Sequence, residues 1–159
     1  MTSWLQDIQD ATFAGASAAT TGSFGPGQRM SGDQLLKVLT TRRNAVVSTT
    51  RRDGRPHSTP GAFVLHDRSI WLPLVPRAAR AKHVARQPWI SMVISEGQLD
   101  THGVVIVEGP ASLAAQPGEG VLEAAKSKLS GTAWIGQWIE LRPERILSYA
   151  SPGWKEDGV

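Results

Sequence analysis

The sequence predicts a mainly β fold with a few short helices, arranged as a six-stranded antiparallel barrel. Stretches rich in β-branched and aromatic residues recur along the chain, and short turn signals such as Asp53-Gly54 separate several of them. Strands joined by short turns pair in antiparallel fashion. The chain shows no regular alternation of strands with long helices, which disfavours a parallel sheet, and it contains no internal repeat.

The first 30 residues differ from the rest and are predicted to be a flexible N-terminal arm. Apolar residues at helical spacing predict a short amphipathic helix over residues 3–13, which would pack on the body or on a partner subunit. Residues 14–28 are small, polar and rich in glycine, and no period recurs among them. We therefore expect this stretch to be flexible.

The predicted domain spans residues 31–150 and opens with a helix. Ser31 and Gln34 are spaced as a capping box, in which each side chain accepts a backbone hydrogen bond of the other residue. The apolar stripe that follows continues the helix to about Thr41. The next run, 45–50, is rich in Val and Thr and predicts the first strand.

A hairpin follows this strand. The Asp53-Gly54 pair suits a tight turn, so the chain is expected to return as a second strand over residues 57–66. His66, Asp67 and Arg68 form another turn signal, and the apolar run 69–75 predicts the third strand.

Two more strands and two helices follow in alternation. Pro76 suits the first turn of a basic helix, and Pro88 ends it. The fourth and fifth strands are predicted over 89–95 and 104–115, where β-branched residues are dense. Residues 118–131 carry apolar positions along one side and predict a helix.

The last predicted strand spans residues 134–150 and bends at Pro143, because proline cannot donate a ladder hydrogen bond. Residues 151–159 are predicted to be a loose C-terminal tail, apart from Trp154. With 159 residues the chain is expected to hold one folded domain between the arm and the tail.

Composition excludes several functional classes. The chain has no cysteine, so disulfides, thiolate metal sites and cysteine nucleophiles are absent. No apolar leader and no run of membrane-spanning length occurs, and together these features predict a cytoplasmic protein that does not insert into membranes. The net charge is +3, and arginines cluster in two segments that could meet the phosphates of nucleic acid or of a small cofactor.

Motifs for self-contained catalysis are missing. No glycine-rich dinucleotide or phosphate loop and no nucleophile elbow occurs. The four histidines show no metal-ligand spacing, so we predict no metal site: His57, His66, His83 and His102. These absences favour a protein whose chemistry comes from a bound cofactor.

The second predicted strand is unusual, because it is poor in residues that could fill a core. Its first six residues are His57, Ser58, Thr59, Pro60, Gly61 and Ala62. A strand of this kind presents backbone groups and hydroxyls on which a flat heteroaromatic ring could lie. The alternative is an edge strand that Pro60 protects from aggregation.

The basic helix after Pro76 supplies a candidate phosphate site. Helical spacing places Arg77 and Arg80 on one face, whereas Lys82 and Arg86 point elsewhere. Arg77 and Arg80 lie in the first turns, where free backbone N–H groups also favour an anion. The alternative is a solvated basic helix. A flat ring and a phosphate together describe a nucleotide-like cofactor, and flavin mononucleotide (FMN) is the first candidate.

The order of these parts resembles the pyridoxamine 5′-phosphate oxidase-like, split β-barrel flavin-binding superfamily. The resemblance covers residues 31–150. It rests on a strand after Arg43-Asn44, a DGRPH hairpin, a basic helix before Pro88, the VVIVEGPASL strand and the WIELRPERILSY segment. The branch that the chain is similar to comprises FMN- or deazaflavin-dependent oxidoreductases.

The resemblance implies a homodimer with a cofactor site at each interface. It places the isoalloxazine ring of FMN against His57 to Ala62, and Leu74 and Val75 at the end of the next strand. Arg80 takes the place of a phosphate-binding lysine, with Arg77 beside it. Trp138, or else Trp134, would reach the site from near the C-terminus.

We therefore predict a flavin-dependent oxidoreductase that transfers a hydride between FMN and a small, flat, largely apolar substrate. His57 is the titratable group next to the ring and the candidate for proton delivery. A first alternative is a deazaflavin coenzyme of the F-420 type, whose acidic tail would need Arg51, Arg52 and Lys82. A second is a non-catalytic protein that stores or senses a flavin or, with less support, haem. Nucleic-acid binding is disfavoured, because aromatic and basic residues do not interleave.

Overall fold

The computed structural model describes residues 3–157 and is mainly β, as predicted. Its eight strands are β1 (Asn44–Thr50), β2 (Pro56–Ala62), β3 (Val64–His66), β4 (Ser69–Leu74), β5 (Trp89–Glu96), β6 (Gly103–Ala114), β7 (Gln137–Leu141) and β8 (Arg145–Ala150). Its five α-helices are α1 (Trp4–Ala14), α2 (Ala18–Ser23), α3 (Gly32–Thr41), α4 (Ala79–Arg86) and α5 (Glu119–Lys128).

The strand count is eight rather than the predicted six, because two of the predicted strands are interrupted. The second predicted strand breaks at Phe63 into β2 and β3, and the last breaks at 142–144 into β7 and β8. At the first break the Phe63 side chain is fully buried, and the Phe63 N–H still bonds the carbonyl of Arg43, just before β1. The next residues, β3, pair with β4 instead of β1. The second interruption contains Pro143 and produces the expected bend.

All strand pairings are antiparallel and form one curled sheet, a half-barrel. The order is β2-β1-β5-β6-β7-β4-β3, and β8 also pairs with β6. The long strand β6 holds the two parts together: its first half pairs with β5 and β8, and its second half with β7. Between the halves lies Gly109, where a Cβ would collide with the carbonyl oxygen of Arg142, so only glycine allows this approach.

The concave side of the sheet holds the main core. Alternate residues of each strand point inward, as the two-residue period of a strand requires. Val47, Met92 and Val107 lie inward on neighbouring strands and are fully buried, as are Leu72 and Ile139 in the other part of the sheet. A smaller apolar cluster lies between α5 and the sheet.

Helix α1 is part of the body and packs on β8, in agreement with the predicted helix over 3–13. Buried polar groups join the two elements. The Gln9 side-chain amide donates to the Met30 carbonyl at 2.8 Å, the Gln9 side-chain oxygen accepts from the Ser148 hydroxyl, and the Ser148 oxygen accepts from the Met30 N–H at 2.9 Å. Each of these polar groups is thereby satisfied away from water.

The stretch 14–28, for which we expected no regular structure, contains α2 and one 3-10 turn, Pro26–Gln28. Helix α2 has no buried residue, so nothing in the core fixes it. Flexibility of this stretch in solution stays a prediction.

The C-terminal tail is attached to the body over much of its length, whereas we expected attachment at Trp154 alone. The ring of Trp154 is buried against Gly103, and its Nε1 donates to Glu96 at 2.9 Å. Glu96 also forms a two-point ion pair with Arg42, with N–O distances of 2.5 and 2.7 Å. The Ser151 N–H bonds the carbonyl of His102.

The helices are short. The longest, α1, has 11 residues, whereas about 20 apolar residues are needed to cross a bilayer. No helix within residues 3–157 meets that requirement.

Candidate functional site

A cavity of about 380 Å³ lies between β2, the end of β4 and the start of α4. Its volume falls within the range of small-molecule sites. Eight residues predicted to contact a cofactor line it: His57, Thr59, Pro60, Gly61, Ala62, Leu74, Val75 and Arg80. Four others complete the wall: Pro73, Ala78, Ala79 and Trp134. We call this space the first cavity.

Strand β2 is an edge strand, and its alternation decides which side chains reach the first cavity. Within residues 3–157 it pairs only with β1, so its other edge is open there. The His57 ring packs on His83 and the Thr59 hydroxyl bonds Arg80, both on α4, whereas Ser58 lies on the opposite, exposed face of the strand. There the Ser58 hydroxyl lies 2.7 Å from the hydroxyl of Ser48 on β1. Ser58 therefore does not line the cavity, although we predicted a contact.

Arg80 is fixed against β2 by four hydrogen bonds. Its Nε donates to the Thr59 hydroxyl at 3.0 Å. Its Nη2 donates to the same hydroxyl at 2.5 Å, to the Thr59 carbonyl at 3.3 Å and to the Pro60 carbonyl at 2.6 Å. The Nη1 group lies against Gly61 and donates to no acceptor within residues 3–157. This leaves its N–H groups free toward a ligand.

The positive charge of Arg80 has no carboxylate partner at ion-pair distance within the described residues. The guanidinium is partly buried, and this burial lowers the pKa of Arg80 below its usual value. The same corner holds the N-terminus of α4, where the N-cap residue Ala78 offers no side-chain acceptor to the first backbone N–H groups. A buried charge without a partner is costly. An anion that reached this corner would meet a guanidinium and unbonded backbone donors together.

Three other predicted contacts lie elsewhere. Arg77 is exposed just before α4, in the left-handed backbone region with φ 61°, because the helix begins only at Ala79. Lys82 faces a second cavity. Trp138 is almost fully buried in the apolar cluster beneath α5 and does not reach the first cavity.

Trp134, which we considered as an alternative to Trp138, lies at the first cavity with 43 % of its surface exposed. It belongs to the loop between α5 and β7, and its Nε1 donates to the Gly131 carbonyl at 3.0 Å. Gly136 ends this loop and lies so close to Pro76 that a Cβ would not fit. The loop is therefore attached to the segment between β4 and α4.

The second cavity, of about 420 Å³, adjoins the first and shares Ala79 with it. Its wall is strongly basic: Arg51, Arg52, Lys82 and Arg86, together with His83 and Asp53. Asp53, the one carboxylate in that wall, is bound to Arg55 at 2.6 Å. The excess of positive charge suits an anionic group longer than a single phosphate.

Two imidazoles separate the cavities, since His57 lines the first and His83 the second. Their ring centres are 5.0 Å apart in an edge-to-face arrangement. Nδ1 of His83 lies 2.8 Å from the Thr49 hydroxyl. Burial, and after it the neighbouring His57, Arg86 and Arg51, lowers the pKa of His83. His83 and Thr49 were not predicted from the sequence, because only the fold brings α4 against β1.

The arrangement as a whole can hold a flat, largely apolar ligand that carries an anion at one end. Apolar side chains and the backbone of β2 form the walls, and the charge lies at the Arg80 corner. Within residues 3–157, no three His, Asp or Glu side chains come close enough to hold a metal ion.

The sequence profile of the pyridoxamine 5′-phosphate oxidase family matches residues 31–150. This range includes β1 to β8, helices α3 to α5 and both cavities. No curated protein matches the chain.

Several solved structures share the fold. A conserved hypothetical protein from Mycobacterium tuberculosis aligns with a TM-score of 0.69 at 21 % identity, over 80 % of this chain and 89 % of that one. The FAD binding protein from Mycobacterium smegmatis aligns with a TM-score of 0.62 at 18 % identity, over 78 % of this chain and 98 % of that one. The haem storage protein HutZ from Vibrio cholerae aligns with a TM-score of 0.58 at 16 % identity, over 75 % of this chain and 93 % of that one. At these identities the likeness concerns the fold.

Proposed function

We propose that this chain, which belongs to the pyridoxamine 5′-phosphate oxidase family, binds FMN in the first cavity and acts as a flavin-dependent oxidoreductase. The observation that carries the proposal is Arg80. Its partly buried guanidinium has no carboxylate partner among the described residues, keeps Nη1 free and lies beside the N-terminus of α4. This combination is suited to a phosphate.

The described residues fit FMN. The phosphate would be held by Arg80 and the first N–H groups of α4. The ring would lie against the open backbone of β2, with Leu74 and Val75 beside it. When bound, the flavin supplies hydride transfer, and the protein supplies position and a largely apolar surface. Trp134 and Pro73 flank the remaining space, which favours a small, flat and largely apolar substrate.

A titration with FMN, followed by quenching of tryptophan fluorescence, tests the phosphate site. We expect Arg80→Ala to weaken binding about tenfold or more, which corresponds to ~1.4 kcal/mol. Arg86→Ala is the matched control, because it removes the same charge from the same helix outside the first cavity, and FMN affinity should stay within about twofold. Equal effects of the two substitutions would contradict a phosphate site at Arg80. Failure of the unmodified protein to bind FMN would contradict the function itself.

To distinguish an enzyme from a storage protein, bound FMN is reduced, and its reoxidation by small quinones or nitroaromatics is measured. Turnover of a flat substrate would support the oxidoreductase. Tight FMN binding without turnover of any such substrate would favour a flavin-binding protein. Haemin is titrated in parallel, since a haem storage protein shares this fold.

A deazaflavin coenzyme is the second candidate, and the second cavity favours it. The four cations there, Arg51, Arg52, Lys82 and Arg86, lie where the acidic tail of such a coenzyme could continue from the Arg80 corner. The same pair of variants distinguishes the two cofactors. For a deazaflavin, Arg86→Ala should weaken binding as well, and the affinity should fall steeply with added salt.

The proposal includes a homodimer, for which the outer face of the sheet supplies a surface. Val46, Val93 and Ile106 are neighbours on β1, β5 and β6 and point away from the core, with Trp89 and Pro110 further along. Val46 and Trp89 are 47 % and 40 % exposed. Ser91 and Glu108 separate Trp89 and Pro110 from the other three residues, so the apolar ribbon consists of Val46, Val93 and Ile106. An exposed apolar ribbon on a curled sheet favours a second copy of the chain as its cover.

A further inference from the structure

The side chain of His57 combines two features that rarely occur together. It borders the first cavity, yet its Nδ1 is buried and has no hydrogen-bond partner. Almost all buried polar atoms in folded proteins are bonded. No hydrogen bond to either ring nitrogen of His57 forms within residues 3–157.

The environment of Nδ1 favours the form without a proton on that atom. If Nδ1 carried a proton, a buried N–H donor would lack an acceptor, and the free energy of its lost hydration would not be recovered. An unprotonated Nδ1 leaves only an acceptor unsatisfied, which costs less. The charged groups on the neighbouring elements are the cations Arg80 on α4 and Arg51 and Arg86 at the second cavity, and none of them bonds His57 within residues 3–157. The carboxylate of Asp53, also at the second cavity, is bound to Arg55. A neutral imidazole with a bare Nδ1 carries its proton on Nε2.

His83 holds the His57 ring in place. Thr49 lies directly opposite His57 in the β1–β2 register, and its hydroxyl fixes Nδ1 of His83 at 2.8 Å. The His83 ring, so fixed, packs edge-to-face against His57 with ring centres 5.0 Å apart. It thereby covers part of the His57 ring.

We propose that His57 is held as the neutral Nε2–H tautomer and donates a hydrogen bond to an acceptor atom of the heteroaromatic ligand in the first cavity, with His83 as its positioning residue. The inference rests on the proposed function and deepens it, because it requires a ligand that presents a ring nitrogen or carbonyl at this edge. A neutral imidazole N–H is a hydrogen-bond donor and a very weak acid. This role therefore differs from the proton delivery that the sequence suggested for His57.

Nitrogen-15 NMR of the imidazoles in the ligand-free protein reads the tautomer directly. At a pH where the rings are neutral, we expect a bare Nδ1 and a protonated Nε2 in His57. His83→Ala removes the ring that packs on His57 and should raise the share of the other tautomer, whereas His83→Phe keeps such a ring and should preserve the original tautomer. A protonated Nδ1 in the unmodified protein, or identical tautomer shares in all three proteins, would overturn the proposal.

The donated hydrogen bond is tested with FMN as the probe. His57→Gln retains an N–H donor at a similar reach, and His57→Phe retains only a ring. We expect His57→Gln to keep FMN affinity within about threefold and His57→Phe to lose about tenfold, or ~1.4 kcal/mol. Equal affinities of the two variants would overturn the donor role. If Arg80→Ala still weakened FMN binding about tenfold or more in that case, the proposed function would stand without this inference.

Discussion

At Gly61, the absence of a side chain makes room for the Arg80 guanidinium. A Cβ at this position would lie 2.5 Å from Nη1 of Arg80, the group that is free to meet a ligand. We predict that Gly61→Ala displaces the end of the Arg80 side chain and weakens FMN binding by about threefold to tenfold. The shift should cost the fold little, because the end of a long side chain moves more easily than backbone.

The same fluorescence titration measures this effect, and thermal unfolding checks the fold. Gly27→Ala is the control, because a Cβ there meets nothing within 4 Å. FMN affinity unchanged in Gly61→Ala would contradict the position assigned to Nη1.

Lys128 is a second residue whose charge lies in apolar surroundings. Its ammonium group lies 3.8 Å from the ring centre of Phe63 and donates to the Leu39 carbonyl at 3.2 Å. Burial lowers the pKa of Lys128 to about 8 from an ordinary 10.5. The folded state thus favours the neutral amine, so protonation favours unfolding, and stability is lost as the pH falls from 10.5 toward 8.

We predict that Lys128→Met, which keeps the apolar stem, abolishes this dependence. Relative to the variant, the wild-type free energy of unfolding should rise by about 2 kcal/mol between pH 7 and pH 10. Denaturant unfolding at the two pH values measures the difference. Parallel changes in both proteins would show that the Lys128 pKa is not lowered.

Among the elements, α1 is held by buried polar groups between it and β8 in addition to its apolar face. Gln9 is buried and bonds both Met30 and Ser148. We predict that Gln9→Ala destabilises the protein by about 1 to 3 kcal/mol, because it leaves buried partners unsatisfied. Asp10→Ala, on the exposed side of the same helix, should change the free energy of unfolding by less than about 0.5 kcal/mol. Denaturant unfolding of both variants tests this, and equal effects would contradict the role of the buried network.

Element boundaries show where sequence reasoning ends. The capping box at Ser31 and Gln34 is a local pattern, and the structure contains it with both bonds formed. The break at Phe63 could not be predicted, because an apolar residue there continues the strand pattern. Only the change of pairing partner, from β1 to β4, ends one strand and starts the next.

The candidate site was predictable where it depends on local chain and unpredictable where it depends on packing. The glycine and proline in β2 and the arginine near the start of α4 could be read from the sequence. Trp134 and Trp138 lie in one predicted strand. Only the packing of α5 determines that Trp138 is buried and that Trp134 lies at the cavity. The contact of His57 with His83 likewise requires α4 to lie against β1 and β2.

For the molecule as a whole, the apolar outer ribbon predicts the oligomeric state. We expect the protein to be a dimer in light scattering after gel filtration, and Val46→Asp to be a monomer, since it places a charge among Val46, Val93 and Ile106. If the cofactor sites lie at the dimer interface, the monomeric Val46→Asp variant should also bind FMN more weakly than the wild type. Leu99→Asp is the control, because Leu99 is 88 % exposed on a loop away from this ribbon. A monomeric wild type would contradict the dimer.

A crystal structure of the protein with FMN tests the central claim most directly. We predict the phosphate within hydrogen-bond distance of the Arg80 guanidinium and the first N–H groups of α4, with the ring along β2. FMN bound elsewhere, or its phosphate away from Arg80, would contradict the site.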